Sequence, residues 1–321
     1  MRGDFYTAQS HVGLRSLGLV EMTRDGATGW GEASPFPGQD ESMDVLVQAA
    51  VSGGMTPTLS GGINQAAADS SAKSRGVSLA DEVGATLDRL PVSVAIGLGG
   101  DPVAEASRAT ASGVARFKIK IAPGNIDHVA LIRAANRSSV IGVDANGSFG
   151  RDTIEELDVL ADMDIAYIEQ PCTGNDTETL AMVKELIDAP IFADESIRSV
   201  ADAEAVLASE FVDGVVVKPG RLGFDGALEM VALAERFGKR WRASGLLESG
   251  VGRAYTDLLA AIPTAFVSDV APAGWFLEQD VAPSRFSDGI VTTPRGAGLG
   301  VAPQPEVIER YLVATHEVAG I

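Results

Sequence analysis

Residues 165–171, IAYIEQP, 190–196, PIFADES, and 212–219, VDGVVVKP, are three short apolar runs that each carry a charged side chain near their end: Glu169, Asp194 and Lys218. Runs of this length, bounded by turn residues, read as strands buried on both faces of a parallel sheet. Two upstream runs, ARFKIKI (115–121) and SVIGVDA (139–145), end in the same way at Lys120 and Asp144. Along the chain the five charged positions are separated by 24, 25, 25 and 24 residues. An interval that constant is one strand, one helix and two short loops. VSVAIG (92–97), RWRASG (240–245) and TAFVSDV (264–270) bring the strands to eight, the number that closes a (β/α)8 barrel of the TIM type. An open doubly wound sheet is the competing arrangement for such a repeat. GAGLG (296–300) follows Pro294 and opens no helical pattern, so it reads as a loop and not as a dinucleotide site.

Between the strands, GRDTIEELDVLADM (150–163) predicts a helix with Asp152 as N-cap and Glu155 three residues later. SVADAEAVLASE (199–210) and GALEMVALAERFGK (226–239) carry apolar residues at helical spacing. The first 91 residues do not follow the period. LRSLGLVEMTRDGATGWGEASPFPG (14–38) predicts a hairpin turning at RDG, and a helix is expected from Glu41 to about Val51. SGGINQAAADSSAKSRG (60–76) fits a linker or a helix equally. The end of the chain also leaves the repeat, with DGIVTTPRGAGLGV (288–301) and a predicted helix QPEVIERYLVATHEVA (304–319). The expected organisation is a capping domain from residues 1–91, a barrel from 92–285 and a segment 286–321 that returns to the cap. The fold class is α/β, a modified TIM-like barrel with an α+β capping domain.

Lys+Arg 25 against Asp+Glu 44 leaves a net charge of −19, which argues against nucleic acid and anionic membranes as partners. A small-molecule ligand fits better. No run approaches the roughly 18 apolar residues of a membrane span, and the start lacks the apolar core of a signal peptide, so a cytoplasmic location is expected. Cys172, the one cysteine, rules out an internal disulfide and a multi-cysteine zinc site; a packed thiol is its expected role.

Side chains alternate faces along a strand, so in FKIKI (117–121) Lys118 and Lys120 share one face, about 6 to 7 Å apart. If that face is the barrel interior, anions must stand opposite. Active sites of parallel barrels lie at the C-terminal strand ends, where Asp144, Glu169 and Asp194 come from successive strands about 4.8 Å apart. Three carboxylates that close repel one another unless a cation holds them, and oxygen-only ligation points to a hard divalent ion, Mg²⁺ ahead of Mn²⁺ or Ca²⁺. Lys120 and Lys218 then stand on opposite sides of the ion. A partly desolvated ammonium near other cations has a lowered pKa and can serve as a base. Such a group of residues suits removal of a proton next to a carboxylate, with metal and ammonium groups stabilising the enediolate. A Schiff-base aldolase has no need of the three acids. A hydrolase triad is disfavoured because His11 and His316 sit in the flanking regions and His128 in a helical stretch.

KIK on strand 2, DAN on strand 3, IEQP on strand 4, ADES on strand 5 and VKPGRLG on strand 6 together resemble the enolase superfamily, in its muconate-lactonizing-enzyme subgroup, and most of all the o-succinylbenzoate synthase family. The resemblance implies Mg²⁺ on Asp144, Glu169 and Asp194, with Asn146 and Glu195 supporting these ligands. It implies Lys120 as base and then acid, Lys118 beside it, and Lys218 stabilising the enediolate. ASGLLESGVGRA (243–254) is similar to the stretch that contacts a succinyl group, which makes Ser244, Gly245, Glu248 and Ser249 candidates. GWGEASPFPG (29–38) resembles the mobile specificity loop of the cap and adds Trp30. The implied reaction is syn elimination of water from a succinyl-hydroxycyclohexadiene carboxylate, in menaquinone biosynthesis. Related enzymes with the same lysines racemise N-succinylamino acids, epimerise dipeptides or lactonise muconate. Dipeptide epimerases usually carry Asp-x-Asp after strand 8, where SDVAPAG has Asp269 alone.

Overall fold

The structure, a computed structural model, describes residues 1–174 and 176–318. Seven parallel strands, Ser93–Ile96, Arg116–Lys120, Val140–Asp144, Ile165–Glu169, Ile191–Ala193, Gly214–Val217 and Arg240–Ala243, pair each with the next in chain order. That order curls the sheet into a barrel wall. Lys120 pairs with Asp144, and Asp144 with Glu169, so the charged strand ends stand side by side on one rim. The outward alternates Phe117, Ile119, Val143 and Ile168 are fully covered by the surrounding helices. Inside, Tyr167 and Phe192 meet edge to face at 5.9 Å, and Phe266 stacks on Phe192 at 5.3 Å, filling the barrel below the rim. Gly142 makes room for this plug, since a Cβ there would lie 2.0 Å from the Tyr167 ring.

The eighth predicted strand, 264–270, is not one. The segment runs along Arg240–Ala243, with Phe266 N–H bonded to the Trp241 carbonyl at 2.8 Å and Asp269 N–H to the Ala243 carbonyl at 2.9 Å. Between these two bonds the Arg242 side chain takes the Val267 carbonyl at 2.7 Å. A guanidinium thus replaces a rung of the ladder, and the first strand is reached through Ser93 Oγ to Asp269 at 3.4 Å.

Residues 150–163 do not form the expected α-helix. A 3₁₀ helix covers Ile154–Leu160, with Thr153 and not Asp152 at its N-cap position. Ile154, Leu157 and Leu160 are its buried residues, and their spacing of three is the 3₁₀ period. The helix expected at 226–239 begins earlier, at Pro219, and runs to Arg236 through a kink at Gly223. Val200–Leu207 is helical as expected.

The N-terminal hairpin pairs Gly18–Arg24 with Ala27–Ala33 around Asp25 and Gly26, both at positive φ, as a tight two-residue turn requires. Helix Met43–Ser52 follows, capped by Ser42. Residues 60–74 of the ambiguous stretch lie in a helix, Pro57–Ser74, started by Thr56 and Pro57, and Arg75 and Gly76 turn out of it. Its small residues serve close approach: a Cβ on Gly31 of the hairpin would fall 2.0 Å from the Gly62 carbonyl oxygen. At the other end of the chain, Phe286–Ser287 and Ile290–Thr292 form a three-stranded antiparallel sheet with Arg89–Pro91. The predicted helix 304–319 is confined to Pro305–Tyr311; beyond it Leu312 and Val313 are exposed, so no apolar burial extends it, and Ala319 lies outside the described residues. Residues 296–300 are a loop with Gly296, Gly298 and Gly300 at positive φ. No helix among the described residues is long and apolar enough to cross a membrane.

Candidate active site

Asp144, Glu169 and Asp194 meet at the rim, all buried, with one carboxylate oxygen from each lying within 4.8 Å of the others. Strand alternation also turns Lys118 and Lys120 inward. Lys120 Nζ donates to Asp144 Oδ2 at 2.6 Å and to Asn146 Oδ1 at 2.9 Å. Lys118 Nζ lies 3.0 Å from Glu169 Oε1, 3.3 Å from Asp144 Oδ2 and 2.7 Å from Asp269 Oδ2. Lys218 Nζ meets Asp194 Oδ2 at 2.6 Å. Glu195 accepts from Asn146 Nδ2 at 2.6 Å, so Asn146 links a lysine to the acid beside Asp194. Its own backbone is at positive φ, tied by Asn146 N–H to Asp144 Oδ1 at 3.0 Å.

The electrostatics differ from group to group. Burial opposes ionisation of Asp144, but Lys120 and Lys118 outweigh it and hold the carboxyl well below the ordinary range. Asp194 is likewise held down, against burial, by Lys218 and Arg221. Glu169 goes the other way: burial and the adjacent Asp144 push it well up, despite Lys118 and Arg242. Burial alone would lower Lys118, yet Asp269, Glu169 and Asp144 raise it well above the ordinary lysine value. The acids fit a hard divalent cation by two observations: oxygens of all three lie within 4.8 Å of one another, and Asp194 Oδ1 is buried with no hydrogen-bond donor.

Lys118, Lys120 and Lys218, each bonded to one of the acids, line a cavity together with Phe5, Phe36, Phe276, Ser244 and Gly245. Of the predicted substrate contacts, Ser244 and Gly245 line this cavity and Trp30, Ser249 and Glu248 do not. Trp30 sits in the hairpin opposite Glu21, its N–H on Asp69 at 2.8 Å and its carbonyl on the Tyr255 hydroxyl at 2.7 Å, away from the cavity wall. Ser249 caps helix Gly250–Ala260 and donates to Glu32 at 2.5 Å. Glu248 faces Arg253 at 3.0 Å, and it is Arg253 that reaches the lining.

Sequence reasoning missed several residues. Gln39, from the loop after the hairpin, donates to Glu195 at 3.1 Å and accepts from Arg221 at 3.1 Å, bridging cap and barrel. No local signal marks a partner 156 residues away. Arg242 and Asp269 also lie inside, and for Arg242 a signal existed: RWRA places it on the same face as Ser244, by the alternation that singled out the lysines. Cys172 is buried under the rim, its thiol pushed up to about 12 by burial, as a packed thiol should be.

Residues 101–307 match the family model described as Enolase C-terminal domain-like. The chain is 30% identical to the o-succinylbenzoate synthase of Bacillus subtilis (strain 168) over 258 residues, which are 78% of this chain and 70% of that protein. It is 33% identical to the N-succinylamino acid racemase of Thermus thermophilus over 235 residues, 69% of this chain and 63% of the racemase. In shape it matches the muconate lactonizing enzyme from Mucobacterium Smegmatis complexed with muconolactone, with a TM-score of 0.87 at 24% identity over 97% of this chain and 95% of that one. That likeness establishes the barrel with its cap.

Proposed function

Since the chain belongs to the enolase superfamily, we propose that it is an o-succinylbenzoate synthase, a Mg²⁺-dependent enzyme that eliminates water from 2-succinyl-6-hydroxy-2,4-cyclohexadiene-1-carboxylate to give 2-succinylbenzoate, in menaquinone biosynthesis. The observation that carries the reading is that Lys118, Lys120 and Lys218 line one cavity and are each bonded to one of the three converging buried acids. Its support among relatives is the 30% identity to the Bacillus subtilis synthase.

Asp144, Glu169 and Asp194 would hold the ion, with Mn²⁺ as an alternative to Mg²⁺. When bound, it supplies Lewis-acid stabilisation for negative charge gathering on the substrate carboxylate. Lys120, as the free amine, takes the proton α to that carboxylate, and the C–H electron pair passes into an enediolate. The same Lys120, now an ammonium, gives its proton to the departing hydroxyl; the C–O bond breaks, water leaves, and the ring becomes aromatic. Proton and hydroxyl leave from one face, so one lysine serves both steps. Lys218 stays an ammonium on the far side, steered by Asp194, and stabilises the enediolate. Lys118 is held as a cation by Asp269 and Glu169 and adds to the same field. Phe5, Phe36 and Phe276 supply an apolar wall for the ring and exclude water from it.

Racemisation of N-succinylamino acids is the second reading, favoured by the 33% identity to the Thermus thermophilus racemase and by Lys218 lining the same cavity as Lys120. Dipeptide epimerisation is disfavoured: Asp269 is spent on Lys118, Arg242 and Ser244, so its carboxylate is not free for a substrate ammonium. Deuterium uptake at the α-carbon separates the first two. A synthase loses exchange and turnover in Lys120→Ala while Lys218→Ala retains proton transfer through Lys120. A racemase needs both lysines, each variant exchanging only one enantiomer. The reaction belongs to a cytoplasmic setting, and cell fractionation checks that.

A further inference from the structure

Four charges close a ring inside the barrel. Lys118 Nζ meets Glu169 Oε1 at 3.0 Å and Asp269 Oδ2 at 2.7 Å, while Arg242 Nη2 meets Asp269 Oδ1 at 2.6 Å and Arg242 Nη1 meets Glu169 Oε2. Each acid therefore bridges both cations, and each cation both acids. Arg242 and Glu169 are wholly inaccessible to solvent. The guanidinium has no freedom to leave: Nε is spent on the Val267 carbonyl at 2.7 Å, Nη2 also donates to the Tyr167 hydroxyl at 2.7 Å, and the group lies over the Tyr167 ring at 4.1 Å. Such a dry cation is tolerated only because two carboxylates compensate it. Only one of the four, Glu169, also belongs to the cluster of three acids that could hold an ion.

We propose that Arg242 and Asp269 are positioning residues that set the metal affinity of the site with opposite signs. Arg242 withdraws one oxygen of Glu169 from the ion and opposes its charge, so it weakens binding. Asp269 compensates Arg242 and Lys118, so it strengthens binding. An ion whose ligands are partly neutralised in this way keeps more of its charge for the substrate carboxylate, so the ring exchanges affinity for polarising power. The inference rests on the metal reading given under Proposed function.

The test is calorimetric titration of the full chain with MgCl₂, for the parent, Arg242→Met, Arg242→Lys, Asp269→Asn and the double variant, each checked for folding by circular dichroism. At these distances one buried charge is worth at least about tenfold in Kd. Arg242→Met is expected to bind Mg²⁺ about tenfold more tightly yet turn over more slowly, and Asp269→Asn to bind it about tenfold more weakly. Arg242→Lys, which keeps the charge, stays near the parent, and the double variant returns toward it. If Arg242 merely orients Glu169, Arg242→Met weakens Mg²⁺ binding instead, and shifts of one sign in both single variants, or no shift, overturn the proposal. Should Arg242→Met not fold, a Kd for Asp269→Asn that is unchanged or lower does so alone. A folded parent that binds no Mg²⁺ overturns the metal reading itself, and the ring's role with it.

Discussion

Asp257, in the middle of helix Gly250–Ala260, is a buried carboxyl whose Oδ1 has no hydrogen-bond donor. Burial pushes its pKa from 3.8 to about 8, against the pull of Arg253 one turn away. Across that window the folded chain keeps a proton that the unfolded chain has released, so this group makes stability fall as pH rises from about 4 to about 8. Asp257→Asn removes the slope; urea unfolding at pH 5 and pH 8 is expected to show a smaller difference in the variant than in the parent. Gly142 gives a second prediction at this scale. Gly142→Ala drives a methyl into the Tyr167 ring and should cost about 1 to 3 kcal/mol, read as a lower urea midpoint at unchanged slope. The charged strand ends were legible as single residues because a buried strand has few reasons to carry a charge, and their regular interval identified them as a set. Arg242 obeys the same alternation and falls 24 residues after Lys218, but it stands on a strand whose other arginine, Arg240, is exposed, which hid it. Trp30, Glu248 and Ser249 were legible as members of family-like stretches, yet a stretch does not specify which of its side chains faces the cavity.

Between cap and barrel the decisive element is helix Gly250–Ala260, buried on every side. Glu32 of the hairpin sits at its N-terminus and accepts from Ser249 N–H at 3.1 Å, Gly252 N–H at 3.1 Å, and the Ser249 and Ser34 hydroxyls at 2.5 Å each. The helix dipole favours a carboxylate there. Glu32→Ala leaves four buried donors without an acceptor and should cost about 3 kcal/mol or more, loosening the cap from the barrel; limited proteolysis of the hairpin and urea unfolding both read it. Elements were legible wherever their period was long and uniform. What stayed open or failed has its cause in tertiary contact: Gly31 against Gly62 decides for a packed helix in the stretch that fits linker and helix equally, and Arg242 displaced a rung of the eighth strand. The 3₁₀ segment is the exception, since the spacing of three among Ile154, Leu157 and Leu160 was in plain view.

For the molecule as a whole, a net charge of −19 coexists with a cavity wall that carries Lys118, Lys120, Lys218 and Arg253 against Asp269 alone. That contrast suits an anionic substrate drawn to a local field. Metal binding to the folded chain alone also predicts a linkage effect: Mg²⁺ at about 100 times its Kd should add about 2.7 kcal/mol of stability, a gain that Asp194→Asn diminishes. The barrel was legible from its interval, whereas the partners that join distant parts, such as Gln39 with Glu195, depend on the folded path of the chain. The first measurement to make is turnover of the succinyl-hydroxycyclohexadiene carboxylate, followed as loss of diene absorbance, with Mg²⁺, with a chelator, and with Lys120→Ala. Rapid turnover that the chelator abolishes and that falls by at least about a hundredfold in Lys120→Ala is the predicted result. A folded, Mg²⁺-loaded protein that leaves the diene intact would contradict it.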